Sequence, residues 1–150
     1  MKVSKQGLEI IKKHEGFRSK PYLCPAGVPT IGYGSTYYPD GKRVKMTDNA
    51  IDKVSAETLL YMTLNKFEDC VLNAVKSNIN QNQFDALVSF TYNLGCGNLN
   101  KSTLLKKVNV DPCDRSIVNE FMKWNKAGGK VLKGLTTRRH DEATLYFTDI

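Results

Sequence analysis

Glu15 is the first residue whose type and position suggest chemistry. It falls four residues after Ile11 and seven after Leu8, on the apolar face of a helix that Ser4 would cap and Gly16 would end. At a helix C-terminus both desolvation and the helix dipole disfavour an ionised carboxylate. A carboxyl held protonated in this way serves as a general acid. Nine residues later stands Cys24, and six further on Thr30, inside Gly27-Val28-Pro29-Thr30-Ile31-Gly32-Tyr33-Gly34. A thiol has a pKa near 8.5, so it works as base or nucleophile to the extent that its site lowers that value. Thr30 in a strand also satisfies β propensity, and Gly32 and Gly34 let backbone or ligand approach closely.

Other residues are weaker candidates. His14 points about 100° away from Glu15 on a helix and reads as a surface histidine. Arg138 and Arg139 fall in the first turn of the last expected helix, where the dipole does not favour cations, so something anionic should compensate them. Solvation, pairing with Glu15 and contact with an acidic substrate are the readings open to them. Tyr33 and Trp124 both have rings able to stack on a ligand, and Trp124, which fits an apolar stripe, reads as core.

The elements that must position these groups follow from periodicity. Helix 1 is expected over about residues 4 to 15. Pro21 to Lys45 is rich in Pro, Gly, Tyr, Thr and Val and reads as two or three short antiparallel strands. A long helix opened by Ser55 carries Leu60, Leu64, Phe67, Val71 and Val75 on one face. Helices are then expected over Asn82 to Leu94, Ser102 to Val108 and Asp114 to Lys126. A flexible break follows at Ala127-Gly128-Gly129-Lys130, and a last helix runs from Thr136 or Thr137 to about Phe147. The fold class is α+β, mostly helical.

With 150 residues, 41% apolar and 25% charged, the composition is that of a globular domain and excludes disordered, collagen-like and low-complexity classes. No apolar run reaches the roughly 18 to 20 residues of a membrane span, and no signal-peptide apolar region opens the chain. The 22 basic against 15 acidic side chains give a net charge of +7, which suits a polyanionic partner. Ten basic residues lie between Lys101 and Arg139, but they are spread out, and no arginine-rich arm or aromatic-basic interleaving points to nucleic acid. Cys24, Cys70, Cys96 and Cys113 form no CxxC pair and no zinc spacing. Without a secretory signal the expectation is reduced thiols, Cys70 being a small core residue in a helical pattern.

Taken in order, Glu15, Cys24 nine residues on and Thr30 in Thr-x-Gly-x-Gly resemble the signature of phage-type lysozymes, the endolysin muramidases of glycoside hydrolase family 24. Further landmarks are Gln83-Phe84-Asp85-Ala86-Leu87-Val88-Ser89-Phe90 with Asn93, the pair Phe121 and Trp124, and Gly134-Leu135-Thr136-Thr137-Arg138-Arg139. The resemblance covers nearly the whole chain. It implies a two-lobed lysozyme-like fold, with a sheet-bearing lobe at about 16–54, a connecting helix at about 55–76 and a helical lobe at about 77–150 plus helix 1. It implies hydrolysis of the β-1,4 bond between N-acetylmuramic acid and N-acetylglucosamine in peptidoglycan, without cofactor or metal. Glu15 becomes the proton donor, Cys24 stands where most members have a catalytic Asp, and Thr30 helps the attacking water. Gly32, Gly34 and Arg138 would face substrate. The Glu and Cys pair leaves the stereochemical outcome open. A monomeric endolysin of this kind would collect in host cytoplasm and need a separate holin-like protein to reach the wall. The rival readings are a non-catalytic glycan-binding protein on the same fold, a lytic transglycosylase and, more distantly, a nucleic-acid binder.

Overall fold

The computed structural model describes residues 1–149, which divide into two compact units, Met1–His14 with the segment from Phe67 onward, and Glu15–Lys66. The first unit is helical. α1 (Lys5–Glu15) starts where the Ser4 hydroxyl accepts from the Gly7 amide, and it buries Leu8 and Ile11. Ser4 is itself held by the buried carboxylate of Asp85, which accepts from both its amide and its hydroxyl. Gly7 lies so close to that carboxylate that a Cβ there would come within 2.6 Å of Asp85 Cγ. Only glycine allows this approach.

Asp85 sits on α3 (Gln81–Leu94), whose capping box pairs Asn80 with Gln83 and whose residues Asn82 through Thr91 are all buried. Around it run the C-terminal part of α2 (Lys53–Ala74), α4 (Cys96–Lys101), α5 (Thr103–Val110), α6 (Ile117–Met122) and α7 (Lys133–Tyr146). Phe90 on α3 meets Phe121 and Trp124 edge-on, with ring centroids 5.8 and 5.7 Å apart, so the half-buried Trp124 packs against the core. The expected break at Ala127-Gly128-Gly129-Lys130 is instead a hairpin of β3 (Lys126–Ala127) and β4 (Lys130–Val131). Gly128 and Gly129, at φ +57° and +79°, make its two-residue turn.

Two further expectations are corrected in this unit. Cys70 is not a reduced thiol: it is disulfide-bonded to Cys96, tying α2 to the start of α4 across a Cα separation of 5.9 Å. Cys24 and Cys113 are free. The last helix begins at Lys133, so Arg138 and Arg139 lie in its second turn and not its first. Both are buried, which excludes the solvated reading.

In the second unit β1 (Arg18–Leu23) pairs antiparallel with β2 (Pro29–Gly32), the register shifting between Arg18 and Tyr22. Isolated bridges Ile31↔Ser35 and Tyr37↔Arg43 extend the chain path beyond it. Ile31, Val44 and Leu59 form its core with Tyr38 and Ile51 against them. The N-terminal part of α2 closes the unit, and its cap is Asp52, which accepts from the Ser55 amide at 2.8 Å, so the helix opens before Ser55. None of the described helices is long and apolar enough to cross a membrane.

Candidate active site

Glu15, Cys24 and Thr30 all fall within the Glu15–Lys66 unit. Glu15 is the last residue of α1, half-buried, and Gly16 at φ +73° ends the helix behind it. The chain then enters β1 through Phe17, whose ring lies 5.7 Å from that of Tyr33. Tyr33 is buried in this contact, so it is a packing ring and no sugar platform.

Cys24 follows the end of β1, half-buried, in a turn closed by two hydrogen bonds. Its amide donates to the Val28 carbonyl at 3.1 Å, and the Gly27 amide donates to its carbonyl at 2.8 Å. Hydrogen bonding at Val28 is the largest influence, and with further bonds at Ala26 and from the Thr30 hydroxyl it outweighs burial and holds the thiol below its ordinary pKa. Thr30 is buried, and its hydroxyl donates to the same Val28 carbonyl at 2.9 Å. One hydroxyl proton thus has two acceptors within reach, the Val28 oxygen and the Cys24 sulfur.

Tyr22 was not among the residues expected from sequence. It pairs with Thr30 across the sheet, and the Arg18 guanidinium lies 4.3 Å from its ring centroid. Burial first, then the charges of Glu15 and Cys24, push its phenol upward, against a lowering from Arg18. The available signal was strand alternation, since Tyr22 stands two residues before Cys24.

Gly32 and Gly34 belong to the same unit, and Arg138 to the helical one. Gly32 is buried at φ +67°, where a Cβ would meet that of Ala56 at 3.0 Å, so it packs on α2. Gly34, at φ +91°, is half-buried in the turn before Ser35. Arg138 belongs to the helical unit, where it donates to Glu142 Oε2 at 3.2 Å and to the Ser89 carbonyl at 3.1 Å. Arg139 joins it on Glu142, at 2.8 Å, so the anionic compensator is Glu142. His14 is not a free surface side chain: its Nε2 lies 2.8 Å from Asp141 Oδ2, which Lys13 also contacts at 2.9 Å. Burial would raise the Asp141 carboxyl, but these two partners hold it below the usual range.

Residues 12–142 match the family model for phage lysozyme. The chain belongs to the phage lysozyme family. It is 43% identical to the endolysin of Bacillus phage B103 over 99% of its own length, and it spans 55% of that relative. Its fold superposes on the endolysin of Escherichia coli O157:H7 phage FAHEc1 with a TM-score of 0.88 at 39% identity, covering 98% of this chain and 94% of that one. A lysozyme of phage P22 superposes with a TM-score of 0.87 at 34% identity over 99% of both chains. These likenesses agree with the α+β, mostly helical fold, in which a small antiparallel sheet accompanies a larger helical part. This phage lysozyme carries at position 24 a thiol whose backbone surroundings favour its anionic form.

Proposed function

We propose that the chain is a muramidase that hydrolyses the β-1,4 bond between N-acetylmuramic acid and N-acetylglucosamine in bacterial peptidoglycan, and that it acts as an endolysin. The observation that carries the reading is the convergence at Cys24: an acid nine residues upstream, a hydroxyl six downstream, and a turn whose N–H groups favour thiolate. Glycoside hydrolysis needs a proton donor for the leaving oxygen and a group that activates water on the far side of the sugar. Glu15 gives its proton to the glycosidic oxygen as the bond to C1 breaks. Water adds to C1 and passes its proton to the Cys24 sulfur. Cys24 takes that proton as thiolate, and the Thr30 hydroxyl, donating to the sulfur or to the Val28 carbonyl, offers the lone pairs of Oγ1 to that water in either orientation. No step uses a cofactor or a metal.

The basic charge of +7 suits an anionic cell envelope. As an endolysin the monomer accumulates in host cytoplasm, reaches the wall after a separate holin-like protein opens the membrane, and lyses the cell. Purified peptidoglycan should clear, and mass spectrometry should find muropeptides with reducing-end muramic acid. Anhydro-muramic ends would make the protein a lytic transglycosylase, and retention on the wall without clearing would make it a glycan binder.

A further inference from the structure

The apolar stripe of α1 stops at Ile11, and the residues that complete the helix, Lys12, Lys13, His14 and Glu15, add no apolar side chain to it. The carbonyls of a last turn have no partner within the helix, so a turn without packing frays. Glu15, the acid of the proposed reaction, is the final residue of this turn. Polar contacts fasten it to α7. His14 Nε2 lies 2.8 Å and Lys13 Nζ 2.9 Å from the same carboxylate oxygen of Asp141.

The two contacts differ in what they can fix. The Lys13 side chain is 64% exposed and reaches Asp141 on a flexible stem, so its pair is screened and holds little. The His14 side chain is 10% exposed, and its ring is rigid beyond two rotatable bonds. An ionised carboxylate only accepts, so Nε2 carries the proton and donates. Hydrogen bonds to a charged acceptor are the short, strong ones, and this one leaves the helix at the residue before the acid. His140 does not compete for it: its exposed ring stands 4.0 Å from the other oxygen of Asp141.

We infer that His14 is a positioning residue for bond cleavage: through its bond to Asp141 it sets the last turn of α1, and with it the direction in which the Glu15 carboxyl leaves the helix. The inference rests on the muramidase reading, in which that carboxyl must come within hydrogen-bond reach of the glycosidic oxygen. His14 itself moves no proton. Its leverage is geometric, since a misplacement of about 1 Å at a reacting group costs on the order of a hundredfold in rate.

The test measures kcat and KM on solubilised peptidoglycan, counting reducing-end muramic acid. His14→Ala should lower kcat about tenfold to a hundredfold and leave KM unchanged. His14→Gln, whose amide N–H can reach the same oxygen, should recover most of the loss. Added to Glu15→Gln, and followed over hours at high enzyme concentration, His14→Ala should change nothing further, because the side chain it places has no proton to give. Wild-type kcat in His14→Ala, a rise in KM alone, or the same fractional loss with Glu15→Gln as without it would overturn the positioning role and leave the muramidase reading intact. Wild-type protein that releases no reducing ends would overturn both. Thermal unfolding checks the fold of each variant. If His14→Ala does not fold, Asp141→Asn replaces it, with a loss in kcat alone of about threefold to tenfold expected and an unchanged kcat overturning the role.

Discussion

Replacing Cys70 and Cys96 together by serine removes a cross-link that closes a 26-residue separation between α2 and α4. On the chain-entropy account a loop of that length restricts the unfolded state by about 3.5 kcal/mol at room temperature. For a chain of this size that corresponds to a fall in Tm of about 10 °C. The measurement is thermal unfolding by circular dichroism, with and without a phosphine reductant. Reductant should lower the wild-type Tm to that of the double variant and leave the variant unmoved. Under native oxidised conditions two thiols should alkylate, Cys24 and Cys113, against four after reduction and unfolding. Lysis at room temperature should survive the double substitution, because Glu15, Cys24 and Thr30 lie in the other unit. A Tm change under about 2 °C, or four thiols alkylated in the untreated native protein, would refute the reasoning.

Glu15→Gln should fold normally and lose about a hundredfold to ten-thousandfold in lytic rate, since the leaving oxygen then has no donor; wild-type clearing by the folded variant would remove Glu15 from the mechanism. Cys24→Ala should lose most activity and Cys24→Asp should keep much of it. The acidic limb of the wild-type pH profile follows ionisation of a thiol held below its ordinary pKa, so activity rises with pH through that range. A carboxylate ionises lower still, and Cys24→Asp should carry that limb to lower pH; an unmoved limb would show that Cys24 is not the group titrating. Glu142→Gln leaves two buried guanidinium groups without their shared anion and should cost about 3 to 5 kcal/mol in chemical denaturation, whereas a cost below about 1 kcal/mol would mean that the cluster relaxes or admits water.

Residue pattern was sufficient for α1, which has one apolar face, and for α3, which has an apolar-rich run, because each has a glycine at its end, Gly16 and Gly95. It misplaced α7 because Thr136 and Thr137 have the residue type of N-caps but not the geometry. Their hydroxyls donate back to the carbonyls of Leu132 and Lys133, at 3.2 and 3.1 Å, inside a helix already under way. The true cap, Leu132, makes no side-chain hydrogen bond and leaves no trace in residue type. That slip put Arg138 and Arg139 near a helix N-terminus and hid Glu142, which lies four and three residues on and binds both. The expected helix from Asp114 shortened for a related reason, since the Asp114 carboxylate accepts from the Ser116 amide and hydroxyl and makes a turn there. The Cys70–Cys96 bridge was beyond sequence reasoning because four cysteines permit several pairings and distance alone selects one. At the site, residue type and spacing pointed to Glu15, Cys24 and Thr30, but not to Tyr22 or to the N–H groups of the turn, which depend on strand register and backbone direction.

The shared Val28 carbonyl has a consequence for how the chain acquires its chemistry. From Glu15 to Thr30 is a stretch of 16 residues, and the bonds that close the turn at Cys24 and hold Thr30 to Val28 span no more than four positions each. Closing loops that short costs little chain entropy, and a hairpin forms in about microseconds, far ahead of pairings between distant segments. The turn that holds position 24 is therefore specified by its immediate neighbours in the chain. Exchanging the thiol for a carboxylate in a half-buried turn of this kind is a local change, made among neighbours in the chain and apart from the packing of the helical unit.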